Sequence, residues 1–316
     1  MRRAAIVSPI DMPPSYGDFP EPQASEGEVV IRVLAAPLSP IDKGLAVGRH
    51  YSGAAEANFV PGIDGVGISP DGKRVYFLFL QPPFGSMADQ ALVPAGSVVR
   101  FPDSVGDARA AAVVTAGLSS WVALTRRAGF QRGESVLING ATGSAGGLAV
   151  QIAAWPGASR IIATGRNREK LDQLPGEVDK IVLDGAADEA LKQVFSGRVD
   201  VVLDYLWGEP ASRILTQATA NRGSRLGEPR LRYIQLGSVA SEKIAVSASS
   251  LRSSGLEILG SGIGSLSVQA LVNGAGELLA AMPLSGLDTP LRTSALSEVS
   301  RIWHEETGQE RLILIP

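Results

Sequence analysis

The sequence predicts an α/β protein in which a central, doubly wound parallel sheet is joined to a second, strand-rich domain. In the first third of the 316 residues, short β-branched segments are separated by Pro and Gly turns. In the middle of the chain, apolar strands alternate with helical segments, a pattern typical of a parallel sheet covered on both faces. A glycine-dense turn joins the first of these strands to the first of these helices. At about 150 residues per domain, the length suits two domains.

The N-terminal third predicts short strands that form a partly open β-barrel. Residues 1–7 are expected to form a first strand, and residues 28–33 are β-branched and bounded by turn residues. Residues 73–80 follow Asp71-Gly72, a strong hairpin-turn dipeptide.

The remainder of the chain predicts alternating helices and strands. Alanines and larger apolar residues recur at helical spacing between Asp107 and Phe130, which predicts a long helix. The strands expected after it cover residues 135–138, 160–164, 181–183, 199–204, 233–236 and 256–259, and the clearest helices cover 145–154 and 168–174. The last expected strand, residues 311–315, returns to the first domain.

Composition and charge exclude several classes of protein. A net charge of −3 argues against a nucleic-acid binder, which normally carries a basic surplus. The chain has no Cys, which excludes disulfides, thiolate nucleophiles and Cys-containing zinc sites, and its two His leave no His-rich metal site. No uninterrupted apolar run is long enough to cross a bilayer, and the start lacks the apolar segment of a signal peptide. We therefore expect a cytoplasmic enzyme with no metal, no nucleic-acid partner and no membrane partner.

The sharpest motif is a glycine-rich turn between an expected strand and an expected helix. Its sequence is Asn139-Gly140-Ala141-Thr142-Gly143-Ser144-Ala145-Gly146. Glycine permits positive φ and close approach of the backbone to a phosphate, and the helix N-terminus offers free N–H groups. The spacing is a variant of the dinucleotide fingerprint and predicts that Gly143, Ser144 and Ala145 bind a pyrophosphate. A packing turn without a ligand is the alternative.

The residues after the second strand of the central sheet predict which dinucleotide binds. An acidic residue there would hydrogen-bond the ribose 2′-hydroxyl of NAD. This chain instead has Gly165 and Arg166, and its first acid is Glu169. Arg166 can bind a 2′-phosphate bidentately, and Lys170 can reach the same group from the next helix. NADP(H) is therefore favoured over NAD(H), unless these residues are only solvated bases of an exposed loop.

Four further segments occur in an order typical of one enzyme family. They are Ser39-Pro40-Ile41-Asp42, Pro61-Gly62-Ile63-Asp64-Gly65-Val66-Gly67, Gly85-Ser86-Met87-Ala88-Asp89 and Ala111-Ala112-Val113-Val114-Thr115-Ala116-Gly117. Together with the glycine turn, they resemble the zinc-independent quinone oxidoreductases of the medium-chain dehydrogenase/reductase superfamily. The resemblance covers nearly the whole chain.

The resemblance implies a catalytic GroES-like barrel domain of residues 1–116 and 283–316, and a Rossmann NADP(H)-binding domain of residues 117–282. NADPH would lie in the cleft between them. The alcohol dehydrogenase branch of the superfamily uses Cys-containing zinc sites, which this chain cannot form because it has no Cys. Hydride donation to an acceptor that is already electrophilic is the remaining chemistry.

The resemblance also implies individual site residues. Ser39 matches a position beside the nicotinamide ribose and Thr115 one near the nicotinamide ring, although both hydroxyls could instead cap a turn or helix. Tyr51 is the candidate proton donor or substrate contact, with an exposed residue at the rim as the alternative. Asp42 is a second catalytic candidate and could instead orient its loop.

The ends of the fifth and sixth strands of the central sheet supply further cofactor contacts. A parallel sheet presents backbone groups to a ligand at the carboxyl ends of its strands. The candidate residues there are Leu236, Gly237, Ser238, Gly260, Ser261 and Gly262. The glycines of the second group would let the backbone approach the nicotinamide carboxamide, whereas a flexible loop or a subunit contact is the alternative.

Two functions remain open from the sequence. The first is an NADPH-dependent, zinc-independent reductase that transfers hydride to a quinone or an α,β-unsaturated carbonyl acceptor. The second is an NADPH-binding sensor or interaction protein with little turnover. Residues 256–259 form an apolar strand at an expected sheet edge, which predicts a homodimer.

Overall fold

The computed structural model describes residues 1–8, 12–48, 58–80, 82–306 and 308–316. The strands are β1 (Arg2–Ile6), β2 (Ser15–Phe19), β3 (Glu28–Leu38), β4 (Asp64–Ile68), β5 (Arg74–Leu78), β6 (Gln90–Pro94), β7 (Val98–Arg100), β8 (Ser135–Asn139), β9 (Arg160–Gly165), β10 (Asp179–Val182), β11 (Val201–Asp204), β12 (Leu231–Gln235), β13 (Leu256–Gly260), β14 (Leu291–Ala295) and β15 (Arg311–Ile315). The helices are α1 (Pro40–Ala46), α2 (Asp107–Val122), α3 (Ser144–Ala154), α4 (Arg168–Asp172), α5 (Ala187–Ser196), α6 (Gly208–Thr219), α7 (Ala248–Ser253), α8 (Val268–Ser285) and α9 (Val299–Ile302).

The chain divides into two compact units. The first consists of Met1–Leu118 and Leu266–Pro316, and the second of Ser119–Ser265. The sequence-based bounds differ most at α8, most of which they place in the second domain. In the structure α8 packs against β7 and therefore groups with the first unit.

The second unit contains a six-stranded parallel sheet in the order β10-β9-β8-β11-β12-β13. Numbered along the chain, this is the 3-2-1-4-5-6 order of the doubly wound dinucleotide-binding fold, and the predicted α/β class is confirmed. The strand order reverses between β8 and β11, so the turn after β8 lies at the switch point where such sheets bind ligands. All five residues of β8 are buried, as expected for a central strand.

The first unit contains a seven-stranded sheet and a separate β1–β2 hairpin. Its path is β14-β15-β3-β4-β5-β7, and β6 pairs with the N-terminal half of β3. The last strand, β15, pairs antiparallel with β3. Strand β14 was missed because its residues are mostly polar and none is fully buried, so the segment lacks the apolar pattern of a strand.

One helical stretch in the described part of the chain, Asp107–Ala128, is long and apolar enough to cross a membrane by length and composition alone. It consists of α2 and a π-helical turn over Ala123–Ala128. Most of the stretch is buried inside the protein, which is the usual position of a core helix.

Candidate functional site

The glycine-rich turn joins β8 to α3 at the switch point of the parallel sheet. Gly140 has a φ of 91°, a left-handed conformation that favours glycine. A Cβ on Gly146 would lie 2.2 Å from the carbonyl oxygen of Gly140, so the helix can approach the turn this closely only because residue 146 is glycine. The predicted pyrophosphate-binding residues Gly143, Ser144 and Ala145 lie at the start of this helix. The Gly143 N–H already donates to the Gly140 carbonyl oxygen at 3.2 Å. The first N–H groups within the helix, those of Ser144 and Ala145, have no acceptor in the helix and can bind an anion.

A buried hydrogen-bond network joins the carboxyl ends of the four central strands. Asp204, at the end of β11, accepts hydrogen bonds from Asn139 Nδ2 at 2.7 Å and from the Tyr233 hydroxyl at 2.9 Å. It also accepts from the two backbone N–H groups of residues 206 and 207. The Asn139 side-chain oxygen accepts in turn from the Thr164 hydroxyl at 2.8 Å. Burial raises the pKa of Asp204, and the four donors oppose that shift.

Basic residues follow β9 at the position predicted to select the dinucleotide. Gly165 ends the strand and is buried, whereas Arg166 is exposed and donates no hydrogen bond to another described residue. Lys170 is also exposed, near the start of α4. Arg168 differs from Arg166 because it forms an ion pair with Asp172 at 3.6 Å. Arg166 is therefore the arginine of this loop that remains available to a ligand.

After β12, some of the groups predicted to contact the cofactor already have hydrogen-bond partners within the protein. The N–H groups of Leu236 and Gly237 both donate to the carbonyl oxygen of Asp204, at 2.7 Å and 3.2 Å. The Ser238 hydroxyl donates to the Glu242 carboxylate. These residues therefore lie at the ligand-binding edge of the sheet, but the first two N–H groups are already bonded.

The segment after β13 contains a buried hydroxyl without a partner. The Gly260 carbonyl accepts from Arg127 Nε at 2.8 Å, and the Gly262 N–H donates to the Ser265 hydroxyl at 2.8 Å. Ser261 Oγ, in contrast, is buried and has no hydrogen-bond partner among the described residues. Because a buried unpaired hydroxyl is costly, this atom suits a ligand that can donate or accept a hydrogen bond.

In the first unit, Ser39 and Asp42 form the start of α1. Asp42 Oδ2 accepts from the Ser39 N–H at 2.9 Å and from the Ser39 hydroxyl, and Oδ1 accepts from the Ile63 N–H at 3.1 Å. Burial raises the pKa of Asp42, and these bonds oppose the shift. Asp42 thus caps a helix, and the predicted catalytic role of Asp42 and nicotinamide contact of Ser39 stay predictions. Tyr51, the predicted proton donor, lies outside the described residues.

A second buried carboxyl, Asp64, lies beside Thr115. Thr115 Oγ1 is 2.6 Å from Asp64 Oδ2 and 2.7 Å from the carbonyl oxygen of Ala111, and the Tyr76 hydroxyl also donates to Asp64 Oδ2. The other carboxylate oxygen of Asp64 has no partner in the described part of the chain. Burial, and then the charge of Asp42, raise the pKa of Asp64 to about 7.

Arg311 completes this buried cluster from β15. Its side chain is buried, and its Nε and Nη2 atoms donate to no described residue. Burial lowers the pKa of the guanidinium, while Asp64 and Asp42 raise it. Sequence reasoning quoted Asp64 only as part of a turn and missed Tyr76 and Arg311, because three different strands bring these residues together.

Comparison with known proteins finds similar reductases. No model of a known protein family matches the chain. The chain is 28% identical to a probable NADPH-dependent quinone reductase of Emericella nidulans, over 99% of each protein. It is 27% identical to a 2-methylene-furan-3-one reductase of Solanum lycopersicum, over 69% of this chain and 64% of that protein. The quinone oxidoreductase of Thermus thermophilus, whose crystal structures include an NADPH complex, has a TM-score of 0.80 and 26% identity over 99% of this chain and 100% of that one.

The chain thus has homologues named as quinone and enone reductases, and its structural neighbours include quinone oxidoreductases of the medium-chain dehydrogenase/reductase superfamily. The resemblance seen in the sequence motifs is thereby confirmed. This similarity agrees with the strand order of the second unit and with the glycine turn at its switch point.

We predict that folding stability falls as pH rises between about 4 and about 7, because of Asp64. Its carboxyl has an ordinary pKa of 3.8 and a pKa of about 7 in the fold. The folded state therefore binds more protons than the unfolded state in this interval, and each rise in pH favours unfolding. In wild type, the free energy of unfolding should fall by up to about 1.4 kcal/mol per pH unit because of Asp64, and Asp64→Asn should remove this fall. Urea unfolding at several pH values across the interval measures both slopes.

Asp103→Asn is the control for this measurement, because the Asp103 side chain is 99% exposed. The groups that face Asp64 are Asp42, Tyr76, Thr115 and Arg311, and all four are unchanged in both variants. An identical pH slope in wild type and Asp64→Asn would contradict the prediction.

Proposed function

We propose that the protein is an NADPH-dependent reductase that transfers hydride to a quinone or to an α,β-unsaturated carbonyl compound. The observation that carries the proposal is the anion-binding start of α3, set at the switch point and followed after β9 by the unpaired Arg166. Similar proteins support the same chemistry, because one is named an NADPH-dependent quinone reductase and another a 2-methylene-furan-3-one reductase.

The residues of the chain fit NADPH. Gly143, Ser144 and Ala145 would hold the pyrophosphate at the start of α3, where Ser144 and Ala145 present free N–H groups and the Gly143 N–H already donates to Gly140. Arg166 would bind the 2′-phosphate together with Lys170, beside the strand end at Gly165. At the nicotinamide end, the proposed contacts come from Ser39, Thr115, Leu236, Gly237, Ser238, Gly260, Ser261 and Gly262. The buried, unpartnered Ser261 hydroxyl supports a polar ligand group at that position.

Bound NADPH supplies a hydride to the acceptor. A quinone or an enone is already electrophilic, so the protein contributes mainly by orienting the acceptor and excluding water. We propose that no zinc takes part. The chain has no Cys, and its described residues include no group of three His, Cys, Asp or Glu side chains that could hold a metal ion.

The alternative of an NADPH-binding sensor with little turnover is not favoured. The relative that matches over 99% of both chains is named as a reductase, and so is the shorter match from Solanum lycopersicum. The predicted cytoplasmic location stays a prediction, as does the predicted absence of nucleic-acid and membrane partners.

The proposal predicts that purified protein oxidises NADPH when a quinone or an enone is added. The measurement is the loss of NADPH absorbance with a panel of both acceptor classes, with reduced acceptor identified as the product. Protein that is folded and binds NADPH but reduces no member of the panel would contradict the proposed function.

Arg166→Ala should weaken NADPH binding about 10- to 100-fold, because it removes a charge-assisted hydrogen bond to the 2′-phosphate. NADH lacks that phosphate, so its binding should change little, and the discrimination between the two cofactors should narrow. Calorimetric titration with each dinucleotide measures both affinities. Arg168→Ala is the matched control from the same loop, because Arg168 is paired with Asp172. Equal weakening of both cofactors in Arg166→Ala would contradict the assignment.

We also propose a homodimer that pairs at β13. This strand lies at the edge of the six-stranded sheet, and an uncovered edge can pair with the same strand of a second copy. Sedimentation at micromolar concentration should show a dimer. A species that remains monomeric under those conditions would contradict the proposal.

A further inference from the structure

The polar contacts around Asp64 can accommodate one proton more than its two hydroxyl neighbours supply. Three contacts meet in this group: Tyr76 hydroxyl to Asp64 Oδ2, Thr115 Oγ1 to Asp64 Oδ2, and Thr115 Oγ1 to the Ala111 carbonyl. The two hydroxyls supply only two protons, and a carbonyl oxygen can only accept. All three contacts are hydrogen bonds when Asp64 carries the third proton on Oδ2 and donates it to Thr115.

The charges of the cluster lead to the same protonation state. Asp42, Asp64 and Arg311 are all buried, and one guanidinium balances one carboxylate. Asp42 accepts three hydrogen bonds, from Ile63 and twice from Ser39, which stabilise its charged form. Asp64 has an oxygen without any donor among the described residues. Asp42 is therefore the carboxyl whose charged form is better stabilised, and Asp64 is the one that carries the proton, although Arg311 acts on both.

Thr115 is the residue of this group through which a proton can leave it. Asp64 and Tyr76 are 4% and 1% exposed, whereas Thr115 is only partly buried. Its hydroxyl can turn from the Ala111 carbonyl towards another acceptor without losing the bond from Asp64. Thr115 is also one of the residues that we propose to contact the nicotinamide.

We propose that Asp64 stores the proton that the reduction consumes and passes it to the acceptor through the hydroxyl of Thr115. This inference rests on the proposed function, because it assumes an acceptor that has received a hydride. Asp64 acts through Thr115 and does not itself touch the acceptor. It is therefore a positioning residue, which holds the proton where Thr115 can receive it.

The proton transfer from Asp64 through Thr115 conserves atoms and charge. Hydride from NADPH makes the acceptor an anion, which takes the Thr115 hydroxyl proton as a new O–H or C–H bond forms. The Oδ2–H bond of Asp64 breaks, and its proton restores the hydroxyl of Thr115. Asp64 is left as a carboxylate in the field of Arg311, and a solvent proton later returns it to the neutral acid.

The acidity of Asp64 suits this role. Burial and the neighbouring charge of Asp42 raise its pKa to about 7, so the neutral and charged forms have similar free energies near neutral pH. A group of this kind can both give and regain a proton during turnover. The groups that face Asp64 are Asp42, Tyr76, Thr115 and Arg311.

The test compares Asp64→Asn, Thr115→Val and Thr115→Ser in single-turnover reduction of a quinone or enone by the NADPH-loaded protein. In wild type the rate should fall as pH rises through about 7, because the neutral form of Asp64 is required. Asp64→Asn and Thr115→Val should each lower the rate about 10- to 100-fold and abolish this pH dependence, while Thr115→Ser restores both. NADPH affinity should change less than about twofold in Asp64→Asn, because the carboxyl lies behind Thr115.

Thr216→Val is the matched control. Like the Thr115 hydroxyl, the Thr216 hydroxyl donates to the carbonyl four residues earlier in its helix, here at 2.8 Å. Among the described residues it has no hydrogen bond to a carboxyl group. This control should keep the wild-type rate and pH dependence. If Asp64→Asn and Thr115→Val kept the wild-type pH dependence, the proton path would be wrong while the proposed function would stand. A wild type that reduces no acceptor would instead contradict the proposed function.

A second readout needs no turnover and remains available if Asp64→Asn fails to fold. Infrared spectra of wild type should contain the C=O band of a neutral carboxylic acid that disappears as pH rises through about 7. Thr115→Val should shift this band, since it removes the hydroxyl that accepts from Asp64, whereas Thr216→Val should not. A band that is absent from wild type at mildly acidic pH would overturn the proposal.

Discussion

The close contact between α3 and the turn after β8 is the constraint on which the proposed cofactor site depends. Residue 146 approaches the Gly140 carbonyl so closely that no side chain fits. This contact places the start of α3, with its free N–H groups, directly beyond the end of a central strand. The hydrogen bonds of Asp204 then fix β8 and β12 relative to β11, because Asn139 and Tyr233 both donate to the Asp204 carboxyl group. Glycine packing and a buried acid together fix the positions of the strand ends around the proposed cofactor site.

The first unit uses buried charge in a different way. Asp42 and Asp64 are both almost inaccessible, but they differ in the number of donors that face them. Burial alone would favour the neutral form of both, and hydrogen bonds to a carboxylate favour the charged form. Asp42, with a donor on each oxygen, is tied to the start of α1. Asp64 has one oxygen without a described partner and is therefore the acid whose protonation can change.

These two arrangements agree with the chemistry of a reductase that has no Cys-bound zinc. A metal ion would stabilise negative charge on the oxygen of an acceptor. Where no such ion takes part, the charge produced by hydride addition must be removed by a proton. A buried acid connected to a partly exposed hydroxyl is a means of supplying that proton without admitting bulk water, which also protects the hydride donor from side reactions.

The amino-acid sequence by itself determined the α/β class, the glycine turn and the basic residue after β9, because each depends on neighbouring residues. Apolar runs predict buried parallel strands, and the turn needs glycines within a few positions of one another. The grouping of α8 with the first unit, the existence of β14 and the cluster around Asp64 were decided only by the tertiary structure. Asp64, Tyr76, Thr115 and Arg311 come from β4, β5, α2 and β15, and only the packing and register of these elements bring them together. Whether an aspartate caps a helix or keeps a proton depends on the donors that face it, and those donors are distant in the sequence.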